Sequence, residues 1–267
     1  MPDLAAPPRA LPLAIDRRSW LGDALTMAQR CIRLSMRHLD ALLTSLMLPV
    51  LLMLVFVYLF GGAIHTGTTY ITYVVPGVIL LCAGFGSATT TVTVSQDMTG
   101  GIVDRLRSMD VGGAAVLAGH AAASVVRNAA STILVLGVAL AIGFRPSAGP
   151  LDWLAVAGVV LAFVLAISWL SAAIGLLVKS PEAANGATFL FMFLPYASSA
   201  FVPIHTMPPW LQGFATHQPL SPVTETLRAL LLGTPVGSNA WTALAWCAGI
   251  LTLSAALSGM LFRRRTA

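Results

Sequence analysis

Charge in this 267-residue chain is swept into a few short islands, and the intervals between them are apolar over lengths that match the thickness of a bilayer. Only 9% of residues are charged and 57% are hydrophobic, against about 25% charged in an ordinary soluble domain. A helix of roughly 20 apolar residues crosses a hydrocarbon core. Six stretches qualify, over about 41–62, 70–94, 116–144, 151–178, 181–202 and 241–262. The third and fourth are longer than crossing requires, which implies tilt or extension beyond the lipid. The expected fold is therefore an all-α polytopic membrane protein with six transmembrane helices.

The basic residues orient it. Arg9, Arg17, Arg18, Arg30, Arg33 and Arg37 precede the first span. Arg105, Arg107 and Arg127 follow the second, Lys179 follows the fourth, and Arg263, Arg264 and Arg265 follow the sixth. Only Arg145 and Arg228 are left for the opposite side. The positive-inside rule places both termini in the cytoplasm of a cell inner (plasma) membrane. The net charge of +5 then reflects topology and calls for no nucleic acid. The first apolar run starts too late for a secretory signal. Cys31, Cys82 and Cys247 have no motif spacing and read as packing residues.

Two segments divide the chain: a leader over 1–40 and a six-span transmembrane region over 41–267. Within the leader, 16–40 reads as one amphipathic helix. Leu21, Leu25, Ala28, Ile32, Met36 and Leu39 share a face, and Arg30, Arg33 and Arg37 lie opposite, where they can meet lipid phosphates. Such a helix serves either as a topogenic anchor or as a lever between a cytoplasmic partner and the first span.

The loop over about 96–115 is the most polar stretch on the cytoplasmic side. Gly100 and Gly101 permit a turn, and 102–108 can form two helical turns with Ile102, Val103 and Leu106 on one side. A solvated connector has no need of apolar residues at helical spacing, whereas a protein-binding surface does. The stretch Gly101-Ile-Val-Asp104-Arg105-Leu106-Arg107-Ser108 resembles the cytoplasmic loop of type-two ATP-binding-cassette exporter permeases of the daunorubicin/doxorubicin-resistance-like branch. His217-Gln-Pro-Leu-Ser221-Pro222 with Glu225, Arg228 and 230–233, and Phe201-Val-Pro203 with Met207-Pro-Pro-Trp-Leu211, carry the same resemblance. Gln96-Asp97 and Met109-Asp110 depart from the family pattern of a Glu before the loop and a Pro after it.

The resemblance implies a membrane subunit paired with a second permease subunit, in a homodimer or heterodimer, and with a separate ATPase subunit. ATP and magnesium would sit on that partner, and no cofactor on this chain. It implies a hydrophobic drug, lipid or lipid-linked cargo. Gly101, Asp104, Arg105, Leu106 and Arg107 would couple the spans to the ATPase.

The outer segment, about 205–239, is too long for a turn. Ser221 can cap a helix that begins at Pro222 and is stopped by Gly233 and Pro235. That helix is too short to span and suits a re-entrant or interfacial position. Glu225 and Arg228, three apart, can pair. In the resembling family such outer helices close the path, so Ser221, Pro222, Glu225 and Arg228 are gate candidates; a structural plug fits equally.

No Asp, Glu or Lys falls in the middle of a span, which argues against a proton-driven carrier. Arg127 and His120 fall toward the cytoplasmic end of the third span, where Arg127 can snorkel to the headgroups or meet cargo. No metal-ligand cluster or nucleophilic triad is visible. Lys179-Ser180 lacks the glycine of a phosphate loop, Val178 standing in its place. Pro49, Pro76 and Pro195 can bend spans, and Gly84, Gly86, Ser87 and Ala88 form a small-residue face. Met47, Met53, Met192, Phe189, Phe191 and Phe193 can line an apolar path or simply meet lipid and core. A non-transporting membrane scaffold or assembly factor is the alternative, and a secondary carrier a weaker one.

Overall fold

The computed structural model describes residues 20–37, 39–64, 66–108 and 112–266, and every regular element among them is helical. Arg9, Arg17, Arg18, Met109 and Asp110 lie outside the described residues, as do the side chains of Leu21, Leu39, Asp104, Leu106, Arg107, Arg263 and Arg265. The helices are α1 (Trp20–Arg37), α2 (Leu39–Val55), α3 (Tyr70–Thr99), α4 (Ile102–Ser108), α5 (Gly113–Ala141), α6 (Pro150–Leu177), α7 (Pro181–Phe193), α8 (Pro209–His217), α9 (Leu220–Leu232) and α10 (Asn239–Thr266).

Four of them are long and apolar enough to cross a membrane: α3, α5, α6 and α10 over Asn239–Phe262. The stretches 41–62 and 181–202 behave differently. α2 runs into a π-helical turn over Phe56–Phe60. α7 ends at Phe193 and gives way to a 3-10 turn over Leu194–Ala197. Pro195 sits in that turn; its ring fixes φ and removes a backbone donor, which favours a break in the α-helix at that point. Pro49 and Pro76, by contrast, lie within continuous helices.

α3 is the central element. In its most apolar 18-residue stretch 89% is buried, against 17% for α10, which packs along the outside on α6 and α9. The main core gathers Val74, Val75, Val78, Ile79 and Leu81 of α3 with Val135 of α5, Val164 of α6 and Leu227 of α9. Small residues let the helices close up. A Cβ on Gly86 would stand 2.2 Å from Asn128 Oδ1 of α5, so α5 seats there against bare backbone, the mode expected between helices in lipid. Met53 is fully buried, whereas Phe189 and Phe193 face outward, so these side chains do not share one apolar path.

Helix ends follow local chemistry. Pro150 opens α6, and the Asp152 carboxylate accepts the Gly149 N–H at 2.9 Å. Ser180 Oγ accepts the Ala183 N–H at 3.2 Å, so it caps α7 with Pro181 in the first position. Gly233 closes α9 with φ +65, a left-handed conformation that other residues adopt at a cost.

Candidate functional site

Tyr73 and Asp97 are 24 residues apart on α3, hence about 36 Å at 1.5 Å per residue, and each anchors a polar cluster at its own end of the bundle.

At the Asp97 end α3 runs on to Thr99, so Gln96 and Asp97 belong to the helix and not to the loop. The turn into α4 is made at Gly101, whose φ of +71 is the left-handed value a glycine reaches without penalty. α4 then packs back on its own bundle. Val103 is 3% exposed and joins Val94, Leu117, Leu176 and Phe262, while Ile102 packs with Met27 and Val116. Of the three apolar residues expected at the centre of a partner surface, Ile102 and Val103 are therefore spent internally. Among the described side chains of α4, Arg105 and Ser108 are exposed, as is Gly101 before it, and Ser108 donates to the Arg105 carbonyl at 2.7 Å.

The Asp97 carboxylate holds two helices together. Oδ2 and Oδ1 accept from Nη1 and Nη2 of Arg30 at 3.0 and 3.3 Å, and His120 Nε2 donates to Oδ2 at 3.1 Å. The hydrogen bonds to Asp97 push the Arg30 pKa up, outweighing burial, which lowers it. Arg30 is therefore a bridge from α1 to α3, not a residue turned toward lipid phosphates; Arg33 and Arg37 are exposed. The face of α1 that meets the bundle is also not the one with the widest apolar run. Met27 and Cys31 are 6% exposed, while Leu25 and Met36 of the expected stripe stand 62% and 63% exposed. α1 follows α5 in step. A Cβ on Gly119 would stand 2.7 Å from Met27 Cβ, Cys31 Sγ lies 3.9 Å from His120 Nδ1, and Arg127 donates to Ser35 Oγ at 2.8 Å. Eight residues of α1 advance beside eight of α5, so α1 lies along α5.

Arg127 is central in α5 and does not snorkel. Its side chain is buried and donates to Ser35 Oγ, to Thr90 Oγ1 at 2.8 Å and to the Gly86 carbonyl at 3.2 Å. A cavity of about 470 Å³ opens between α1, α3 and α5 with Arg30, Asp97, His120 and Arg127 in its wall.

At the opposite end non-helical backbone after the α7 break is satisfied by side chains. The Ser199 carbonyl accepts from the Tyr73 hydroxyl and from Arg228 Nη2, both at 2.9 Å, and the Phe201 carbonyl accepts from the Tyr70 hydroxyl at 3.0 Å. Gln218 donates to the Ala197 carbonyl. In a membrane, irregular backbone survives only with such partners. Arg228 also pairs with Glu225, as the spacing requires, donates to the Tyr73 carbonyl and lies 3.8 Å from the Tyr73 ring centroid. Ser221 is not a cap. α9 already begins at Leu220, and Ser221 Oγ donates to the Ala215 carbonyl while accepting the Ser199 N–H at 3.2 Å. Pro222 is buried in the first turn, and its carbonyl accepts from Thr226 Oγ1 at 2.7 Å.

Sequence reasoning missed Asp97, Tyr70, Tyr73 and Gln218. The available signals were an acidic residue at the end of a long apolar helix and two tyrosines one turn apart at its start.

The fold is that of a multi-pass helical membrane protein, with α1 packed along α5 and latched irregular backbone after α7. The ABC-2 type transporter family model matches residues 23–232, and the chain belongs to that family. It is 29% identical over 228 residues to the daunorubicin resistance ABC transporter permease protein DrrB1 of Streptomyces coeruleorubidus, covering 85% of this chain and 81% of that protein. The probable doxorubicin resistance ABC transporter permease protein DrrC of Mycobacterium tuberculosis (strain CDC 1551 / Oshkosh) is 25% identical over 249 residues, 92% of this chain and 90% of the relative.

Proposed function

We propose that the chain is the permease subunit of an ABC exporter, moving a hydrophobic drug, lipid or lipid-linked molecule out of the cytoplasm or inner leaflet. ATP hydrolysis belongs to a separate subunit, and a second permease subunit completes the path. Six spans cross the plasma membrane, with α2 and its π turn as the first and α7 with its broken continuation as the fifth, and both termini lie in the cytoplasm. Family membership and the names of the two relatives support export. The charge distribution supports the orientation.

The observation that carries coupling is the seating of α4. Its apolar side is fixed to the bundle through Ile102 and Val103 while Arg105 and Ser108 remain outward. A push on that short helix is delivered to Val94 and Leu117, hence to α3 and α5, and through Arg30–Asp97 to α1. Gly101, Asp104, Arg105, Leu106 and Arg107 are the proposed contact with the ATPase, and α1 is the lever beside it. Ser221, Pro222, Glu225 and Arg228 hold the outer closure by latching the broken end of α7. Replacing Arg105 and Leu106 together by Glu and Ala tests the assignment. The expected result is loss of ATPase co-purification or of ATP-driven export with the permease still folded; intact co-purification and export refute it.

A further inference from the structure

Arg127 is a buried cation without a counter-ion among the described residues. Its three acceptors, Ser35 Oγ, Thr90 Oγ1 and the Gly86 carbonyl, are all neutral, and its Nε has no partner among the described residues. The acidic residue of the same cavity cannot neutralise it: both Asp97 oxygens are engaged by Arg30, one of them also by His120. His120 precedes Arg127 by seven residues, about 10 Å along α5, so the paired and unpaired charges occupy opposite ends of one cavity. Among the described residues the polar wall thus carries Arg30, His120 and Arg127 against a single carboxylate. Ionisable groups within helical membrane bundles are retained where something uses them.

We propose that this cavity binds a phosphate anion, with Arg127 supplying the charge, and that the phosphate is the headgroup of an anionic phospholipid wedged between α1 and the bundle. Arg–phosphate contacts are charge-assisted and directional, and basic pockets between helices are suited to anionic headgroups. Volume favours a lipid over a free ion. One water takes about 30 Å³ of liquid, so an inorganic phosphate leaves most of about 470 Å³ unfilled. Leu34, Val92, Ile102 and Ala123 line the remainder, and Leu34 is 39% exposed at the edge, giving an acyl chain both a wall and a way out. The site stands on the cavity and its charges and does not depend on ATPase coupling.

The test uses the purified full-length chain in a phosphate-free, non-ionic detergent. Dioctanoyl phosphatidylglycerol, inorganic phosphate and dioctanoylglycerol are titrated separately, with thermal shift and native mass spectrometry as readouts. Saturable binding of the phosphatidylglycerol is expected, weakened about tenfold or more in R127Q. R145Q, at the far end of the bundle, should bind as the unmodified chain does. L34W fills the mouth without touching the Arg127 hydrogen bonds, and it decides the matter if R127Q fails to fold. Inorganic phosphate binding as tightly as the lipid, and lost in the same variants, supports the anion site with the free ion as its source. Equal binding of dioctanoylglycerol, or phosphatidylglycerol binding unchanged in L34W and in a folded R127Q, overturns the proposal.

Discussion

At the residue scale, the two polar clusters differ in how replaceable their members are. Asp97 is 14% exposed and holds two cations, so Asp97→Asn leaves Arg30 without its bidentate partner. A loss of about 1–3 kcal/mol is expected for a buried charged group deprived of its partner. R30Q and D97N together should show a coupling energy above about 0.5 kcal/mol in a double-mutant cycle read by thermal unfolding in detergent. At the other end the Arg228 side chain is 11% exposed and Glu225 is 36% exposed. Arg228 also holds the Tyr73 and Ser199 carbonyls. R228Q should therefore cost about 2 kcal/mol or more, whereas E225Q should cost under about 1 kcal/mol, as for a partly solvated pair. An equal cost for the two variants would mean that the ion pair, and not the capture of backbone, holds this end.

At the element scale, α4 separates fold from function. Gly101→Ala forces a Cβ into φ +71 and should cost about 1 kcal/mol; Arg105→Glu changes only an exposed side chain and should shift stability by no more than about 0.5 kcal/mol. Circular dichroism melts check both, and R105E alone is expected to lose ATP-driven export. This helix was legible in the sequence because Gly100-Gly101 marks its start and apolar spacing its length. The destination of its apolar side was not, since Val103 can meet a partner or the chain's own Leu117 and periodicity cannot distinguish the two. α1 taught the same lesson in reverse. Leu25 and Met36 of its longest apolar run stay exposed, and the bundle takes the neighbouring stripe of Met27 and Cys31, where Gly119 lets that side approach. The break of α7 was signalled by Pro195. The tyrosines that satisfy its loose carbonyls lie 126 and 131 residues away in sequence, a contact that no local pattern encodes.

At the scale of the whole molecule, membrane-length apolar stretches and basic islands dictate a helical bundle with a basic side, and the bundle places its two irregular features at opposite ends. Single cysteines at Arg105 and Arg145, each in a chain lacking the three native thiols, should label from opposite sides of intact cells: Arg105 only after permeabilisation, Arg145 without it. Labelling of both from one side would remove the proposed topology. The central claim is that this chain conducts cargo under the control of a separate ATPase acting at α4. The most direct measurement is ATP-dependent uptake of a hydrophobic amphiphile into inside-out proteoliposomes holding the chain and its ATPase. Uptake is expected with the unmodified pair and absent both with a hydrolysis-dead ATPase and with R105E/L106A. Uptake that persists at full rate with the hydrolysis-dead ATPase would contradict the account.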